Sequence, residues 1–92
     1  MKTFLMLGKS SSKELKEIGL KYKAEVVSLV RNFGGDVKSI YVMLREKYLV
    51  LILTFPGMKK AMKASGALSK LTGISFEIRP AVPVEELNKV MT

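Results

Sequence analysis

Two short segments of the chain are apolar at nearly every position, and they restrict its fold more than any other feature. Residues 48–55 read YLVLILTF and residues 3–7 read TFLML. Both have the length of a strand and fall far short of the roughly 20 residues that cross a bilayer. A strand with one wet face alternates apolar and polar side chains, so these two segments predict strands buried on both faces of a sheet.

The remaining segments complete a β-α-β-β-α-β order. Apolar residues recur at steps of three and four from residue 15 to residue 33, which predicts one amphipathic helix of roughly 20 residues. A capping box of Ser11 and Glu14 begins this helix, and Gly34-Gly35 ends it. The further predictions are a strand at residues 37–44, a helix at 58–70, a strand at 74–79 that Pro80 breaks, and a short helix at 84–90.

Two predictions about side-chain placement follow from the periodicity. The strand at 37–44 should carry Val37, Ser39, Tyr41 and Met43 on one face. The helix at 58–70 should bury a stripe consisting of Ala61, Met62, Ser65 and Leu68.

With right-handed crossovers, this order is the ferredoxin-like α+β fold, βαββαβ, in which two helices cover one face of a four-stranded antiparallel sheet. The length of 92 residues predicts one domain, residues 1–92. Because two helices cover only one face, a second copy of the chain is the partner expected over the other face, in a homodimer or higher oligomer.

The composition narrows the chemistry. The chain has no Cys and no His, which excludes disulfides, thiolate or imidazole metal ligands and His-based catalytic triads. We therefore expect no metal and no cofactor.

The net charge is +8, but 13 of the 16 basic residues are Lys. Proteins that recognise the edges of nucleic-acid bases use Arg more than Lys, so nucleic acid is not the expected partner. No targeting segment or membrane span is visible, which predicts a cytoplasmic protein without a membrane partner.

The chain resembles the GYD domain family, small proteins of bacteria and archaea within the dimeric α+β barrel group. The matching stretches are TFLML at 3–7, FGGDVK at 33–38, LVLI at 49–52, FPG at 55–57, SKLTGI at 69–74 and AVPVEE at 81–86. At the hairpin, Arg45, Lys47 and Tyr48 stand where the family has Gly, Tyr and Asp, so the resemblance assigns these positions no role. It implies the dimeric barrel fold, in a group that includes cofactor-free monooxygenases and isomerases.

Two sets of residues are candidate sites. Lys38, Tyr41, Arg45 and Tyr48 lie around the predicted hairpin and could bind a small ligand, since Arg clamps carboxylates and Tyr and Lys exchange protons when buried. Otherwise they form a hydrophilic turn between aromatic strand residues. Lys59, Lys63 and Lys70 fall in one sector of the second helix and could bind an anion, or they form a solvated face.

Three functions agree with these features. The first is an oligomeric small-molecule-binding or accessory domain without catalysis. The second is a cofactor-independent monooxygenase or isomerase, which requires Lys38, Tyr41 and Arg45 to face one cavity. The third is weak binding of anions or nucleic acid through the lysines of the second helix. The sequence assigns no specific activity.

Overall fold

A computed structural model describes residues 1–91, apart from the side chains of Leu20, Val90 and Met91. The sheet consists of β1 (Lys2–Lys9), β2 (Asp36–Met43), β3 (Tyr48–Phe55) and β4 (Phe76–Ala81). The helices are α1 (Ser12–Glu17), α2 (Lys23–Asn32), α3 (Met58–Thr72) and α4 (Leu87–Met91), with a π-helical turn at Ile18–Tyr22 and a 3₁₀ turn at Val84–Glu86.

The predicted ferredoxin-like α+β fold is confirmed. The four strands form one sheet in the order β2-β3-β1-β4, and every neighbouring pair is antiparallel. Helical segments cover one side of the sheet, which we call the helix side, and we call the other the open side. β1 and β3 alternate between buried and half-buried residues along their lengths. Their buried set, which includes Met6, Leu51 and Phe55, lies on the helix side.

The first helical region begins at the predicted capping box. The Ser11 Oγ accepts a hydrogen bond from the Glu14 backbone N–H at 3.1 Å, and the Ser11 N–H donates to Glu14 Oε1 at 2.8 Å. The prediction of one uninterrupted α-helix is wrong, because a π-helical turn separates α1 from α2. Ile18, Val26 and Val30 are buried, and they are spaced by multiples of four residues. In an α-helix of 3.6 residues per turn, residues spaced by four rotate progressively around the helix axis and leave the buried face. A π turn contains more residues per turn, so it brings the following residues back to that face.

A β-bulge in β2 changes the face of one predicted residue. The register with β3 shifts between Val37 and Ser39. Val37 consequently pairs with Leu53, which is fully buried on the helix side. The prediction that Val37 shares a face with Ser39 is therefore wrong, because the bulge inserts one residue and breaks the alternation.

The helix α3 buries a stripe close to the predicted one. Ala61, Ala64, Ser65 and Leu68 are buried, whereas Met62 is 61% exposed. The placement of Met62 in the core was wrong, since the core lies nearer to Ala64. The helix ends two residues later than predicted, where Gly73 adopts the left-handed conformation with a φ of 77°.

The last strand passes through a proline that was predicted to break it. β4 continues through Pro80 to Ala81, and β4 is an edge strand that pairs only with β1. Pro has no backbone N–H to donate. The outer side of an edge strand has no partner strand, so a missing N–H on that side costs no hydrogen bond in the sheet. The terminal helical segment was predicted correctly. Within residues 1–91, no helix combines the length and apolarity needed to span a membrane.

Candidate binding surfaces

The centre of the open side is apolar and uncovered. Leu5 and Leu7 of β1 lie beside Ile52 and Val50 of β3 in the antiparallel register. All four side chains are half-buried by their neighbours in the sheet. The helices pack on the opposite side, so nothing within the described chain lies over these four residues. We call them the apolar centre.

The two edge strands give this side different borders. On β2, Tyr41 pairs with Val50 and is 60% exposed, and Met43 pairs with Tyr48. On β4, the Arg79 guanidinium donates to the Glu77 carboxylate at 2.9 Å, with both side chains exposed. The apolar centre therefore continues into an aromatic border at β2 and ends at an ion pair on β4.

The four predicted ligand-binding residues do not all come together. Tyr41 and Tyr48 lie on the open side as diagonal cross-strand neighbours, close enough for aromatic side chains to interact. Lys38 is exposed at the bulge in β2, and Arg45 is exposed in the turn between β2 and β3. The structure thus unites the two tyrosines and leaves Lys38 and Arg45 apart in solvent.

The turn that holds Arg45 is attached to the neighbouring strand. The Lys47 N–H donates to the Met43 carbonyl at 2.8 Å, and Lys47 has a φ of 59°, which is uncommon for a residue with a Cβ. The Lys47 carbonyl accepts from the Ser10 N–H at 2.8 Å. Ser10 is buried at the end of β1, so the turn is held against the sheet.

The predicted anion-binding residues share one face of α3. Lys59, Lys63 and Lys70 are all exposed and lie opposite the buried stripe that contains Ala61 and Leu68. None of the three forms an ion pair with another described residue. The positive charge on this face is therefore uncompensated within the described chain.

A cavity of about 240 Å³ lies between the first helical region and β2, and sequence reasoning did not identify it. The aliphatic side chains of Leu15, Ile18, Ile40, Val42 and Leu49 line it, together with Gly19 and the single charged residue Lys23. The steps of four residues that favour the π turn are the sequence signal for this site, because that turn forms one wall.

No group of three or more His, Cys, Asp or Glu residues within the described part of the chain could hold a metal ion. No known family matches the chain, and no curated protein matches it either. The resemblance to the GYD domain family therefore stays a prediction.

Proposed function

We propose that this chain is a non-catalytic binding domain that acts as a homodimer, with the open sides of two sheets packed together. The apolar centre carries this proposal, since Leu5, Leu7, Val50 and Ile52 have no cover within residues 1–91. Contiguous apolar patches on soluble proteins commonly mark an interface. A second copy offers the same apolar surface through two-fold symmetry.

The size of the open side agrees with a dimer interface. Three strands have eight residues and β4 has six. At about 3.3 Å per residue and about 4.8 Å between strands, each copy presents a face of roughly 500 Å². Two such faces bury about 1,000 Å², which is the minimum expected of a biological interface and below the roughly 1,200–2,000 Å² of stable complexes.

Light scattering tests the dimer directly. At micromolar concentration we expect a mass near twice the 10.2 kDa of one chain. Replacement of Tyr41 by Ser should weaken association and leave the circular dichroism spectrum unchanged, because Tyr41 is exposed at the border of the face. A mass of one chain across the accessible concentration range contradicts the proposal.

The proposed ligand is a small apolar anion in the cavity beneath β2. Five aliphatic side chains would contact its hydrocarbon part, and the ammonium of Lys23 would contact its charge. The volume of about 240 Å³ is below the range typical of drug-sized ligands, about 300–1,000 Å³, and suits a short aliphatic carboxylate.

Titration with octanoate, followed by NMR of the ¹⁵N-labelled protein, tests this site. The backbone amides of Gly19, Lys23 and Val42 should shift first. Octanol, which has the same chain without the charge, should bind about three- to tenfold more weakly, and Lys23→Gln should remove that difference. Equal affinity for octanoate and octanol in the unmodified protein contradicts the role of Lys23.

The alternative is a cofactor-independent enzyme, which requires Lys38, Tyr41 and Arg45 in one enclosed site. Lys38 and Arg45 are exposed, and none of the three lines the cavity beneath β2. This placement supports a binding domain over an enzyme.

A further inference from the structure

The two edge strands of the sheet differ in how well they resist the addition of another strand. β4 contains Pro80, which has no backbone N–H to donate, and the exposed ion pair of Glu77 and Arg79. Prolines and charged side chains on an edge strand hinder further pairing. β2 contains no proline, and residues 39–44 read SIYVML without a charge. The edge at β2 is therefore open to pairing, whereas the edge at β4 is blocked.

The open edge is short and has a defined middle. β2 is the outermost strand of the sheet, with β3 as its neighbour. Its regular part lies between the bulge, which ends at Ser39, and the turn that follows Met43. Tyr41 is the middle residue of this part. A two-fold axis beside Tyr41, perpendicular to the sheet, therefore gives the longest regular antiparallel pairing of β2 with β2 of a second copy.

The side chains along this edge suit a second copy of the same strand. In the register centred on Tyr41, the two Tyr41 side chains lie opposite each other on the open side. Ile40 of one copy lies opposite Val42 of the other on the helix side. Lys38 lies opposite Leu44, which is 86% exposed in the single chain, so like charges are not directly opposed. Aromatic and aliphatic cross-strand pairs of this kind stabilise antiparallel strands.

The same edge is an open wall of the cavity beneath β2. Ile40 and Val42 line that cavity from β2. Val42 is 41% exposed, although it pairs with the buried Leu49 and so faces the helix side. Because β2 is the outermost strand of the described chain, the aliphatic lining reaches the edge of the sheet and meets solvent there. In the paired strands, Val42 of each copy lies next to Ile40 of the other, so the two cavities open toward each other across the axis.

We propose that β2 of one copy pairs antiparallel with β2 of a second copy, centred on Tyr41, and that the second copy forms the missing wall of the ligand cavity. The second part rests on the proposed ligand site, whereas the strand pairing does not. The axis of this pairing is perpendicular to the sheet and leaves the open side free. The open-side interface has only the minimum size expected of a biological contact, and the strand pairing adds backbone hydrogen bonds to it. A protein with both contacts is a tetramer.

Mixed cysteine variants test the strand pairing, since the chain has no cysteine of its own. Equal amounts of Ile40→Cys and Val42→Cys are mixed at submillimolar concentration and oxidised. The two positions lie directly opposite each other across the axis, whereas identical positions lie on a diagonal that a disulfide cannot span. We expect disulfides between unlike chains to be at least about fivefold more frequent than disulfides between like chains.

The control is a mixture of Lys59→Cys and Lys63→Cys, two exposed positions on α3 that measure random collision. The open-side dimer cannot give the β2 links, because Ile40 and Val42 lie on the helix side. In Ile52→Lys, which disrupts the open side, the β2 links should persist. A yield between unlike chains no higher than in the control, or loss of the links in folded Ile52→Lys, overturns the strand pairing.

Val42→Lys tests the same contact by sedimentation velocity, in the Ile52→Lys background where the edge is the remaining contact. Two lysines would lie diagonally across the axis, each beside an apolar neighbour, so the edge pairing should weaken about tenfold. The matched control Val42→Thr keeps a β-branched, uncharged side chain and should pair like the parent protein. Equal association of the two variants contradicts the pairing.

Octanoate separates this inference from the proposed ligand site. If the second copy completes the cavity, octanoate binds the paired form better, and a saturating concentration should tighten the edge association about three- to tenfold. Octanoate that binds without changing this association shows that the second copy is not a wall of the site. Octanoate binding without β2 links overturns the pairing and leaves the ligand site intact, whereas β2 links without octanoate binding support the pairing and contradict the ligand site.

Discussion

The two sides of this sheet are built from the same strands and nearly the same amino acids, yet they meet different surroundings. On the helix side, Met6, Leu51 and Leu53 are at most 1% exposed beneath the helices. On the open side, Leu5 and Ile52 are half-buried by their own strand neighbours alone. Side-chain chemistry therefore determines that a strand is apolar on both faces, while the layer packed against each face determines what a substitution there does.

The sharpest test compares two adjacent residues of β3, and Leu51→Lys has the larger effect. Leu51 lies in the core, so the charge enters a dry environment without a partner. We expect a loss of several kcal/mol, a large share of the roughly 5–15 kcal/mol that holds a small domain together. Thermal melts by circular dichroism should show an unfolded or aggregated protein at 25 °C. A cooperative melt close to that of the unmodified protein contradicts the assignment of Leu51 to the helix side.

Ile52→Lys should leave the domain folded and separate the copies. Its side chain lies on the open side, where two-fold packing brings an apolar surface or a like charge against it. The dimer should weaken at least about 100-fold, with a far-ultraviolet spectrum like that of the unmodified protein. The control Ile52→Val should keep the dimer. If Ile52→Lys has the same mass in solution as the unmodified protein, the apolar centre is not part of an interface.

Gly35→Ala probes how tightly the helix side is packed. Gly35 is buried immediately before β2, and an added Cβ would lie 2.5 Å from the Thr54 carbonyl oxygen and 2.6 Å from the Phe55 ring. Because a backbone oxygen cannot move aside as a flexible side chain does, we expect a loss of about 1–3 kcal/mol in urea unfolding. An unchanged urea midpoint would show that the edge of β2 yields to the extra atom.

Gly66→Ala is the matched change on the solvent side of α3 and should have the smallest effect. No atom lies within 4 Å of an added Cβ at Gly66, and the residue is exposed in the helix interior. Alanine favours the helix over glycine by about 0.8–1 kcal/mol, so the urea midpoint should rise slightly. A fall in stability would indicate that a neighbouring chain contacts this face of α3.

Local patterns were sufficient for most of the fold. The apolar runs in β1 and β3, the capping box of Ser11 and Glu14, and the turn signals together predicted the order of elements and the ferredoxin-like arrangement. Each of these signals acts between residues close in sequence, through side-chain alternation or hydrogen bonds across a single turn. The resemblance to a known family added the expectation of a barrel-like dimer, which the experiments above test.

The candidate sites depended more on distant contacts. Sequence reasoning selected Lys38, Tyr41, Arg45 and Tyr48, and only Tyr41 and Tyr48 share the open side. It did not identify the cavity beneath β2, because the steps of four residues that favour the π turn do not show that this turn faces an edge strand far along the chain. Lys59, Lys63 and Lys70 were placed correctly on one helix face, since helical periodicity alone determines which residues of a helix share a face.

By itself, the sequence determined which segments become strands and helices, and that two strands are apolar on both faces. Only the tertiary structure decided that Leu51 faces the helices and Ile52 does not, that the bulge moves Val37 to the helix side, and that Met62 stays in solvent. The physical reason is that alternation and helical periodicity define relative faces. Which face becomes the core depends on register, and register is set by pairing between strands that are distant in sequence.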